Sequence, residues 1–67
     1  MENIIVKNGL RITTRQVSYC GTDYTIDNVP YNMTDDEVLS ICGERWGFWV
    51  NRFERRGKQV SFNINYD

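Results

Sequence analysis

No histidine occurs in these 67 residues, proline occurs once and cysteine twice, and each scarcity closes off a class of chemistry. Without histidine, Cys20 and Cys42 lack the partners that would complete a structural zinc site, and no nucleophile has an imidazole to activate it. Two cysteines also fall short of the dense disulfide framework of small secreted proteins, so both are expected as buried free thiols. No apolar run approaches bilayer length, and Met1 to Asn8 does not have the basic and apolar blocks of a signal peptide. A cytoplasmic location with no membrane partner is the resulting expectation. Gly9, Gly21, Gly43, Gly47 and Gly57 stand alone rather than in a phosphate-cradling motif, so no cofactor is expected.

The chain has 8 Lys and Arg against 9 Asp and Glu, for a net charge of −1, which favours neither a general nucleic-acid binder nor an acidic mimic. The layout is uneven. Residues 20–44 hold Asp23, Asp27, Asp35, Asp36, Glu37 and Glu44 with no basic residue, whereas residues 45–58 hold Arg45, Arg52, Arg55, Arg56 and Lys58. This length forms one small domain, close to the lower limit for a self-sufficient hydrophobic core.

Met33 to Trp46 carries the helix signals. Thr34 and Glu37 have capping-box spacing, Met33 and Val38 have staple spacing, and Asp35, Asp36 and Glu37 complement the helix dipole. Val38, Leu39, Ile41, Cys42 and Trp46 form an apolar stripe at intervals of three and four. Gly43 and Gly47 both qualify as the stop, and retaining Trp46 on the stripe favours Gly47, giving a helix over about 34–46.

The remaining segments read as strands. Asn8-Gly9 specifies a two-residue hairpin that sets Lys7 opposite Leu10, Ile5 opposite Ile12 and Ile4 opposite Thr13. A turn centred on Gly21-Thr22 would pair Tyr19 with Tyr24 and Val17 with Ile26. Leu10 and Ile12 then have the opposite parity to Val17 and Tyr19, which calls for a bulge within residues 13–16. Residues 27–32 form a loop. Phe48 to Glu54 and Gln59 to Tyr66 make a last hairpin, with Glu54 opposite Gln59, and with Trp49 and Phe53 on the core face. The expected fold is a small single α+β domain, β-β-β-α-β-β, with an antiparallel meander and a C-terminal hairpin packed against one helix.

The carboxylates at Asp35, Asp36 and Glu37 already serve the helix start, and Cys42 lies on the core stripe, so enzyme activity is not expected. Two tryptophans, four tyrosines and three phenylalanines exceed what one helix on one sheet face can hide, leaving Phe48, Tyr31 and Tyr66 as candidates for exposure. Aromatics and arginines dominate protein-protein hot spots. The mixed face and tip of the last hairpin, Phe48, Val50, Arg52, Arg55 and Arg56, is therefore the candidate surface for an unidentified protein partner. The size also suits a phage or mobile-element accessory protein that modulates a host factor. The same basic, aromatic hairpin gives nucleic-acid binding as the alternative, and pairing through an open sheet edge gives a homodimeric structural or assembly subunit as the third.

Overall fold

The computed structural model describes residues 2–47 and 49–65, and within them one helix packs on a five-stranded antiparallel sheet. Strands β1 (Glu2–Lys7), β2 (Leu10–Gln16) and β3 (Gly21–Asp27) precede helix α1 (Asp35–Ile41), and β4 (Val50–Arg56) and β5 (Gln59–Asn65) follow it. The spatial order is β1-β2-β3-β5-β4, so the last strand inserts between β3 and β4 and leaves β1 and β4 at the edges.

The first hairpin has the expected register, Lys7 with Leu10, Ile5 with Ile12 and Ile4 with Thr13. Its turn residues Asn8 and Gly9 have φ of 53° and 78°, the doubly left-handed backbone that such a turn requires. The second hairpin departs from expectation. Gln16 pairs with Thr22, Arg15 with Asp23 and Ile12 with Ile26, and no register shift interrupts β2. The parity conflict is resolved by ending the strand at Gln16. Val17 and Tyr19 enter a loop closed by the Val17 N–H donating to the Gly21 carbonyl at 3.0 Å, and both are exposed.

A bulge does occur, but in β4. Asn51 pairs with Asn63 and Glu54 with Ser61, so Arg52 and Phe53 together oppose Phe62. Arg52 takes φ of 55°, and the extra residue inverts the alternation. Val50, Phe53 and Arg55 can therefore all stand on the helix side. The turn lies at Gly57-Lys58, setting Arg56 rather than Glu54 opposite Gln59.

Helix α1 starts as expected. The Glu37 N–H donates to Thr34 Oγ1 at 3.2 Å, and the Thr34 N–H donates to Glu37 Oε1 at 3.0 Å. It stops earlier than the Trp46 argument suggested. Gly43, at φ 80°, donates to the Ser40 carbonyl at 3.0 Å, and Glu44 donates to the Leu39 carbonyl at 2.8 Å. This pair of bonds is a Schellman stop at Gly43.

The core lies between the helix and one sheet face. Leu10, Ile12, Ile26, Val29, Val38, Leu39, Val60, Phe62 and Ile64 are buried, and each such side chain contributes about 1.5–3 kcal/mol relative to exposure. Val29 comes from the loop before the helix, where its N–H donates to the Lys58 carbonyl at 2.9 Å. Trp46 and Trp49 are not core residues; both remain about half exposed. Trp46 instead ends an aromatic row, packing on Phe53 at 4.8 Å between ring centroids, with Phe53 on Phe62 at 5.7 Å and Phe62 on Tyr24 at 4.8 Å. Hydrogen bonds from Trp46 Nε1 to Asp36, and from the Tyr24 hydroxyl to Glu44, hold the post-helix segment over this row.

Candidate functional site

The residues expected to share the last hairpin's mixed face are separated by the β4 bulge. Val50 lies opposite Ile64 and is half-buried against the core. Arg55, beside Val60, extends toward the helix-side loop, donating to the carbonyls of Met33 at 2.7 Å and Pro30 at 2.8 Å and to Asp35 Oδ1 at 3.1 Å. Its guanidinium is thus committed within the fold. Arg52 occupies the bulge in the left-handed backbone region, and Arg56 is exposed and paired with Glu54 at 2.9 Å. Phe48 and Tyr66 lie outside the described residues, while Tyr31 is exposed as expected.

Over β3 and β5 the face away from the helix is polar. Asn63 donates to Asp23 Oδ1 at 2.8 Å and Gln59 donates to Asp27 Oδ1 at 2.9 Å, linking β5 to β3. A depression of about 200 Å³ lined by Asp23, Thr25, Arg52, Glu54, Ser61 and Asn63 lies on this side. Its carboxylates do not form a metal-ligating set: no group of three or more Cys, Asp or Glu side chains able to hold a metal occurs among the described residues.

Both thiols are free and half-buried. Burial, aided by the Glu44 carboxylate and opposed by Lys7, pushes the Cys42 thiol up to about 11. At neutral pH it is protonated and a poor nucleophile. No helix of the described residues is long and apolar enough to cross a membrane.

The two sheet edges contrast sharply. β4 carries a bulge and the charged side chains Arg52, Glu54, Arg55 and Arg56, features that discourage a further strand from pairing. β1 has neither bulge nor proline, and its charges, Glu2 and Lys7, stand only at its ends. Between them Ile4, Ile5 and Val6 are 49%, 55% and 75% exposed. Ile5 lies on the helix side opposite buried Ile12, whereas Ile4 and Val6 lie opposite Thr13 and Arg11 on the outer face. The helix does not cover β1, so the strand is apolar and exposed on both faces and open along its edge.

Sequence reasoning passed over this surface because a short Ile-Ile-Val run reads as an ordinary hairpin strand. The signal was present nonetheless: three consecutive apolar residues cannot all point into a one-sided core. No protein-family model, curated protein or solved structure matches the chain significantly.

Proposed function

We propose that this chain is a small non-enzymatic binding protein that acts through protein-protein interaction, with the β1 edge as its working surface. The observation that supports this reading is the uninterrupted exposed run Ile4-Ile5-Val6 on a strand with no neighbour beyond it among the described residues. An added extended strand would satisfy the edge backbone groups and bury apolar side chains on both faces, the basis of recognition by strand addition. The partner chemistry is therefore an extended segment with apolar side chains at alternating positions.

The β1 edge lies at the side of the sheet opposite the last hairpin. Among the described residues Arg55 serves the loop, Arg56 faces Glu54 and Trp46 packs on Phe53, engagements that weigh against the nucleic-acid alternative. Arg52 remains exposed near the depression.

The test compares immobilised native chain with Val6→Lys in an extract supplemented with untagged copies of the chain, with and without nuclease. The expected result is a retained protein, either a different one or the same chain, that resists nuclease and is lost with Val6→Lys. Retention that depends on nucleic acid, or that is unchanged by Val6→Lys, overturns the proposal.

A further inference from the structure

Strand addition at β1 requires an incoming strand, and the geometry of β1 itself narrows the choice. Resting on the edge-recognition reading above, we propose that the occupant is β1 of a second copy, paired antiparallel about a twofold axis at Ile5, so that the two sheets become one.

Side-chain parity restricts how two copies of β1 can pair. A twofold axis perpendicular to the joined sheets keeps each side chain on its own face, and directly opposed residues in an antiparallel pair share a face. Residue pairs across the axis must therefore be both odd or both even, and β1 has three central positions on which the axis can fall. With the axis at Ile4, Glu2 meets Val6 and Asn3 meets Ile5, setting a charge and an amide against apolar side chains. With the axis at Val6, Ile5 meets Lys7 and Ile4 meets Asn8.

The axis at Ile5 gives a different result. Ile5 meets Ile5 of the second copy, Ile4 meets Val6 in both directions, Asn3 meets Lys7 and Glu2 meets Asn8. Every apolar residue of the strand opposes an apolar residue, every polar residue opposes a polar one, and no like charges face each other. The outer face gains a cluster of two Ile4 and two Val6 side chains, and the helix face gains the Ile5 pair. Such cross-strand apolar pairs are the unit of sheet stabilisation.

The charge pattern favours the same arrangement. The guarded β4 edge, with its bulge and alternating Arg and Glu, is a poor template for a strand, whereas the charges of β1 lie at its two ends and clear of the axis. The contact is one six-residue strand on each side, which places it among the smaller interfaces, so the dimer population should depend on protein concentration.

The experiment measures the mass of the full chain by sedimentation equilibrium from low micromolar to near-millimolar concentration, alongside Val6→Lys. A second measurement oxidises Ile5→Cys, Ile4→Cys and Val6→Cys separately and maps the linkages. Residues directly opposed on antiparallel strands are about 4.5–5.5 Å apart at Cα, within disulfide range, whereas diagonal neighbours are farther apart.

The expected result is a mass rising toward twice that of the monomer, its loss in Val6→Lys, and a symmetric cross-link formed by Ile5→Cys more readily than by the other two. The Ile5→Cys cross-link tests the register independently of how Val6→Lys folds. A monomer throughout, a dimer indifferent to Val6→Lys and without the Ile5 cross-link, or open-ended aggregation overturns the self-pairing. If the chain is monomeric yet captures a different protein in a Val6-dependent way, edge recognition survives and only the second copy is wrong. If neither association occurs, both readings fail.

Discussion

Arg55 and Pro30 stand 25 residues apart in the chain, yet the guanidinium Nη2 donates to the proline's carbonyl oxygen at 2.8 Å. Nη1 donates to Met33 and Asp35, so one side chain of the edge strand ties down the segment leading into the helix. Removing it would take the guanidinium donor from the Met33 carbonyl, leave the Pro30 carbonyl with the Met33 N–H at 3.1 Å, and release the helix start from the sheet. Arg55→Ala should therefore lower stability by about 2 kcal/mol, as expected for loss of charge-assisted hydrogen bonds. Arg56→Ala, which removes only an exposed pairing with Glu54, should change it by less than about 0.5 kcal/mol. Urea midpoints at neutral pH check the contrast. Equal effects would contradict this division of roles.

The capping box predicts a pH dependence. Hydrogen bonds from the Thr34 backbone and, secondly, its side chain hold the Glu37 carboxyl below its ordinary value of 4.5. A depressed folded-state pKa contributes stability that is present above the unfolded value and lost as pH falls through the folded one. The stability difference between native chain and Glu37→Gln should therefore narrow on acidification below about pH 4.5 and be present at neutral pH. Thr34→Ala, which removes the hydroxyl partner, should cost about 1 kcal/mol at neutral pH. Denaturant titrations across the acidic range measure both.

How far the fold was legible depended on whether the deciding interaction was local. Asn8-Gly9 and Thr34-Glu37 determine backbone geometry within a few residues, and both features stand where the sequence placed them. The helix stop was misplaced because Trp46 has the right spacing for the helical stripe, although it packs on Phe53 from beyond the Gly43 stop. The bulge expected within residues 13–16 does not occur, because β2 ends at Gln16 before the parity conflict arises, and the bulge in β4 had no counterpart in the sequence reading. Arginine is not a residue type that marks a left-handed backbone, yet Arg52 adopts one. The candidate site suffered most, since it depends on which strands form the edges. That follows from pairing of β3 with β5, across an intervening helix and strand, and no local pattern specifies it.

Gly43 is the decisive test of the shorter helix. Its φ of 80° lies in the left-handed region, and a side chain there would have space around it but not a favourable backbone. Gly43→Ala should destabilise the protein by about 1–2 kcal/mol, with the cost arising from conformation and not from a clash. Gly43→Asn should cost less, because asparagine tolerates this region better. Thermal unfolding of the two variants supplies the ranking; a stabilising Gly43→Ala would instead favour a helix continuing through this position.

Cys42 supplies the corresponding alkaline prediction. Burial is the principal cause that raises the thiol's pKa from 9.0 to about 11, with Glu44 adding to it and Lys7 working against it. A raised folded-state value means that the unfolded chain releases its proton first as pH rises. The contribution is thus fully present below about pH 9, diminishes between there and 11, and is lost above the folded value. Cys42→Ser, whose hydroxyl does not ionise in this range, should lack this component of the alkaline fall. In the native state at pH 8, Cys42 should react with a thiol reagent much more slowly than the same residue in urea, with peptide mapping to separate it from Cys20. Equal native and unfolded rates for Cys42 would show that its surroundings do not suppress the thiolate, and the alkaline stability difference should then vanish as well.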